Sequence, residues 1–76
     1  MQNKLRQLII SALKRNELTS YLPLRLSVKG YHVVVEGTVD SKSLVYEVIS
    51  TIESVSPYLV VHSRLSIEHR RTAGVS

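Results

Sequence analysis

Two periods alternate along the chain. From Asn3 to Asn16, Leu5, Leu8, Ile9, Ala12 and Leu13 recur at i, i+3, i+4, i+7 and i+8, which places them on one helical face. Asn3 is the candidate N-cap, and Lys14 and Arg15 sit in the last turn, where cations suit the carbonyl end of the helix. Lys4, Arg6, Gln7, Ser11 and Lys14 fall off the apolar stripe. Glu17 to Pro23 breaks the pattern and reads as a connector, because Pro23 cannot extend a helix and biases Leu22 towards extended geometry. The period then drops to two. Leu24, Leu26 and Val28 alternate with Arg25, Ser27 and Lys29, a half-buried strand from Leu24 to Val28. A turn at Lys29-Gly30 joins it to a second strand, Tyr31 to Val39, rich in β-branched residues, and so short a loop makes the pair an antiparallel hairpin.

Three consecutive valines, Val33 to Val35, blur the register of the second strand. The reading places Val33 and Val35 inward with Tyr31, and His32, Val34 and Glu36 outward, so that the outward row matches Arg25, Ser27 and Lys29 of the partner. Gly37 interrupts this strand and predicts a bulge or a close approach by a helix. The period returns to 3.6 after Asp40 or Ser41, either of which can cap a second helix. Leu44, Val45, Val48, Ile49, Ile52 and Val55 form its stripe; Glu47, Ser50 and Glu53 are placed towards water, and Ser56-Pro57 ends it. A last strand runs from about Tyr58 to Glu68. Leu59, Val61, Leu65 and Ile67 point one way, and Val60, His62, Arg64, Ser66 and Glu68 the other; Ser63 breaks the inward row, as a bulge or the edge of the core. The order is helix, strand, strand, helix, strand. Two helices packed on one face of a three-stranded sheet, an α+β fold, bury all the apolar stripes at once. The expected core is Leu8, Ile9, Leu13, Leu26, Val33, Val35, Val48, Ile49, Ile52, Val61 and Leu65.

Composition narrows the functional classes. With 76 residues the chain is expected to form one domain, spanning residues 1–69, followed by a disordered tail from 70 to 76 that lacks apolar periodicity. The absence of cysteine excludes disulfides and thiolate metal sites. Neither a run of signal-peptide length nor a stretch of ~20 apolar residues is present, so the sequence predicts a soluble, cytoplasmic chain. The net charge of +4 favours anionic partners.

The pattern resembles the BON domain, a small bacterial module named after osmotic-stress and nodulation proteins. The opening helix with Ile9, Ala12 and Leu13 carries the likeness first. Leu26-Ser-Val28, Gly30 and Val-Val-Val-Glu-Gly37-Thr-Val39 follow, then Asp40-Ser-Lys-Ser, the second helix and Val61-His-Ser-Arg-Leu65-Ser-Ile67. It spans about Leu5 to Ile67, with Gly37 on the family's most typical glycine; the chain has Pro57-Tyr58 where the family usually has Gly-Val. The resemblance implies a non-enzymatic binding module in the bacterial stress response, one that associates with anionic phospholipid or a membrane-associated protein at the periphery of a membrane.

The residues themselves carry no catalytic constellation. Asp40, Ser41 and Ser43 are explained as caps and turn residues, no serine has a base beside it, and Gly37-Thr-Val-Asp matches no phosphate-loop spacing. No enzyme and no cofactor are expected. His32 and His62 fall on the open sheet face, with Glu36 or Glu68 within the same region, but zinc sites take three or four ligands and no spaced motif is present; His69 lies near the tail. No metal site is expected either. The candidate binding surface comprises Lys4 and Arg6 on the first helix and Arg25, Lys29, His32, His62 and Arg64 on the open sheet face. Its alternative occupants are a second copy of the chain, another protein, or nucleic acid. The last is disfavoured because base-reading sheets stack bases on aromatics, and Tyr31 is placed inward.

Overall fold

A computed structural model of the protein describes residues 2–68, and the expected tail at 70–76 lies outside them. The element order is α1 (Gln2–Arg15), β1 (Arg25–Lys29), β2 (His32–Val39), α2 (Lys42–Glu53) and β3 (Val60–Ile67). The sheet order is β1-β2-β3, with β1 antiparallel and β3 parallel to β2. The described residues therefore form an α+β fold with two helices and a mixed three-stranded sheet, as the change of period predicts.

The hydrophobic layer lies between the helices and one sheet face. Ile9 and Leu13 of α1, Val33 and Val35 of β2, Val48 and Ile52 of α2, and Leu59 before β3 form the buried cluster. Leu26, Val61 and Leu65 pack against it from the two edge strands, as expected. The valine register is resolved as read, with Leu26 opposite Val35 and Val28 opposite Val33. Leu8, by contrast, is 51% exposed. One apolar stripe five residues long is wider than the contact a helix makes with a sheet and a neighbouring helix, so its margin stays open. Val39 and Leu59, outside the expected core list, are buried.

Several element ends differ from the pattern reading. Asn3 lies inside α1 rather than capping it. Lys29 pairs with His32, which leaves Gly30-Tyr31 as a two-residue loop. Gly30 has φ 62°, the backbone of a type II′ hairpin with glycine at its first central position. Tyr31 is thus outside the strand and 61% exposed, not inward. Ser41 is the N-cap residue of α2, yet its hydroxyl meets Ser43 Oγ at 3.1 Å and makes no capping bond. The helix stops at Glu53, before Ser56-Pro57, as Ser54 and Val55 close a last turn through bonds to Ser50 and Ile52 carbonyls. β3 begins at Val60, two residues after Tyr58.

Gly37 holds neither a bulge nor a helix contact. The β2–β3 pairing runs without a break from His32↔Val60 to Val39↔Ile67, through Gly37↔Leu65. The strand's φ reaches 149° there, and a Cβ would stand 2.9 Å from the Pro23 carbonyl oxygen and 3.0 Å from Leu24 Cδ2. The glycine admits the incoming connector, not a helix. The same unbroken register shows that Ser63, opposite Val35, marks no bulge; it is exposed on an edge strand.

The connector is ordered by polar side chains. Asn16 Nδ2 donates to Glu47 Oε2 at 2.7 Å and to Thr51 Oγ1 at 3.0 Å, tying the end of α1 to α2. Its Oδ1 accepts from the Leu18 amide at 2.9 Å. Thr19, 2% exposed, donates to the Leu13 carbonyl at 2.6 Å and so satisfies a free carbonyl at the end of α1. Glu47 is half-buried by this link, not turned to water as its place off the apolar stripe suggests.

Candidate functional site

The face of the sheet away from the helices is built by period-two alternation, and the register fixes its rows. Lys29 pairs with His32 and His32 with Val60; Ser27 pairs with Val34 and Val34 with His62; Arg25 pairs with Glu36 and Glu36 with Arg64. Five candidate residues, Arg25, Lys29, His32, His62 and Arg64, therefore share one surface. Three of them are permanent cations. Their one anionic neighbour in these rows, Glu36, faces Arg64 at 3.8 Å, with the two side chains 44% and 72% exposed. Such an exposed pair adds less than about 1 kcal/mol to stability and leaves the surface net positive.

The two helix candidates separate. Arg6 stands with Ile10 and Lys14 on the α1 flank that lines an open groove around the β1 edge, together with Arg25, Glu36 and Arg64. The groove carries the positive surface past the edge strand onto the first helix. Lys4, two residues earlier and so about 200° around the helix, is exposed and lines neither this groove nor the one over the histidines.

His32 and His62 meet directly. Nδ1 of His32 lies 3.1 Å from Nε2 of His62, and the rings are near-parallel at 15° with centroids 5.4 Å apart. One ring donates and the other accepts, so the contact holds at most one proton between the two nitrogens. Both rings are exposed, and they line a shallow groove with Lys29 and Arg64. Among the described residues no group of three or more histidine, cysteine or acidic side chains comes together around a metal position.

Two exposed tyrosines meet at one end of the sheet, and the pattern reading, which placed Tyr58 at a strand end, missed the exposure of Tyr31. Tyr31 and Tyr58, 61% and 73% exposed, place their ring centroids 6.2 Å apart at the end of the sheet where β2 begins. The Val60 amide donates to the Tyr31 carbonyl at 2.8 Å, fixing the loop beside β3, and the Val60 side chain is 45% exposed in the His32 row. The signal was available: a glycine suited to a two-residue turn puts the residue after it in the loop. Compared with models of known families and with curated proteins, the chain matches none.

Proposed function

We propose that the protein is a non-enzymatic, cytoplasmic module that binds anionic phospholipid at a membrane surface, through the open sheet face. The observation that carries this reading is the grouping of Arg25, Lys29 and Arg64 on one exposed surface, with Val60 in the His32 row and exposed Tyr31 and Tyr58 at the end of the sheet where β2 begins. Cations near an acidic leaflet contribute about 1 kcal/mol each. Tyrosines, with an apolar body and a polar tip, suit the headgroup level. No described helix is long and apolar enough to cross a membrane, so attachment by this route is peripheral. The likeness to BON domains points the same way.

Co-sedimentation with vesicles tests it. The chain should pellet with vesicles containing acidic lipid at low salt, and less as salt shortens the screening length. Replacing Arg25, Lys29 and Arg64 together by Gln should weaken binding on the order of 100-fold, three contributions of about 1 kcal/mol. Equal, negligible pelleting with acidic and zwitterionic vesicles at low salt would remove the reading.

The exposed tyrosine pair supports a second reading, single-stranded RNA. Tyr31 and Tyr58, exposed and paired with each other, supply stacking surface that an inward Tyr31 would have denied. If RNA is the ligand, Tyr31→Ala or Tyr58→Ala should lower affinity about 5-fold or more, since base stacking contributes about 1–3 kcal/mol. Vesicle binding should respond mainly to the three cations.

A further inference from the structure

We propose that His32 and His62 form a two-point site for a divalent late first-row transition metal, of the class of Zn(II), Ni(II) or Cu(II). The spacing of their nitrogens carries the proposal. Metal–imidazole bonds are about 2.0–2.1 Å. Two such bonds to one ion put the nitrogens about 2.9 Å apart at a right angle and about 3.4 Å apart at the tetrahedral angle. The observed 3.1 Å between His32 Nδ1 and His62 Nε2 falls between these limits. Without a metal, a ring N–H points at the other ring's lone pair. To bind an ion the donor changes tautomer and places its proton on its other ring nitrogen. Both exposed rings then rotate, by about 35–45° from a linear hydrogen bond, to turn the two lone pairs to one point, and the nitrogens separate or approach by only a few tenths of an ångström. No net proton is released from the neutral pair.

The backbone supports this geometry. His32 lies on the central strand and His62 on β3, and the parallel ladder runs continuously through both positions. His32 pairs with Val60 and Val34 with His62, so the histidines are diagonal neighbours on one face. The described residues offer neither ring another hydrogen bond. Neutral imidazoles select Zn, Ni and Cu over the harder ions, and two ligands leave further positions open to water. Lys29 and Arg64 line the same groove and oppose a dication, while Glu36, across from Arg64, offsets part of that charge. The affinity is thereby held below that of closed three- or four-ligand sites.

The test is titration of the full chain with Zn(II) alone, followed by calorimetry and by the histidine ring resonances, with Ni(II) as a paramagnetic check. One ion per chain is expected, with both His32 and His62 resonances shifting together. His32→Gln and His62→Gln should each weaken binding at least tenfold, and the double variant should be no weaker than either single one, because a chelate is lost whole. His69→Gln should leave the affinity unchanged. Arg64→Gln should tighten Zn(II) binding about threefold by removing a nearby like charge, while weakening vesicle binding. The opposite signs separate this inference from the lipid reading: loss of either property leaves the other measurable. Circular dichroism checks that the variants remain folded, His32, His62 and Arg64 being exposed. Single variants that leave binding unchanged, losses that simply add, or dependence on His69 without dependence on the pair would overturn the proposal.

Discussion

Along β2, Val33, Val35 and Val39 are at most 1% exposed, while His32, one peptide bond from Val33, lies open beside His62. The two faces of one strand share backbone, ladder and neighbours, and differ only in which way each Cβ points. On the covered face a side chain is held by volume: it must fill the space between Ile9, Val48 and Ile52. On the open face it is held by charge and ring contacts that water weakens. Stability should therefore reside on one face and binding on the other, and substitutions can break or sharpen that division.

The largest effect should come from the covered side. Ile52 is fully buried, and Ile52→Ala should lower unfolding free energy by about 2–5 kcal/mol, read by urea denaturation. For so small a domain that removes a large share of the total. Gly37→Ala comes next. With φ at 149° and a Cβ 2.9 Å from the Pro23 carbonyl oxygen, the substitution should cost about 1–3 kcal/mol, and β1-side amides should shift in NMR spectra. Gly30→Ala meets no atom within 4 Å and should cost less, about 1 kcal/mol, from the positive φ alone.

Asn16→Ala tests a link outside both faces. It removes the bonds to Glu47 and Thr51 and leaves a half-buried carboxylate without its donor, so about 1–2 kcal/mol of stability should be lost in thermal or urea unfolding. The smallest stability effect belongs to the open face. Arg25→Gln, Lys29→Gln and Arg64→Gln should each stay within about 0.5 kcal/mol of the parent, while their vesicle binding falls. If Arg64→Gln destabilised the fold as much as Ile52→Ala, the division between the faces would fail.

Much of the fold was legible because burial here is periodic. The five elements, the antiparallel hairpin and the inward set Val33 and Val35 follow from a period of two meeting a period of 3.6, with Gly30 as the turn. Five candidate cations and histidines could be assigned to one face for the same reason: alternation fixes a face even before strand order is known. Lys4 and Arg6 show where this ends. Helical spacing sets them about 200° apart, on opposite sides of the apolar stripe, and the packing of α1 beside β1 decides that it is the Arg6 side that joins the groove.

What tertiary structure alone decided are contacts between residues distant in the chain. That Gly37 receives Pro23 and Leu24, that Asn16 reaches Glu47 and Thr51, and that Leu8 remains open at the margin of its stripe depend on how elements dock, which no local period encodes. The 3.1 Å approach of His32 and His62 belongs to the same class. Alternation put both rings on one face, but only the parallel register of β3 against β2 made them diagonal neighbours. The sequence by itself determined which residues share a surface, because side-chain direction is local; the structure determined which of them touch, because strand register and helix docking are set by the packing of the whole core.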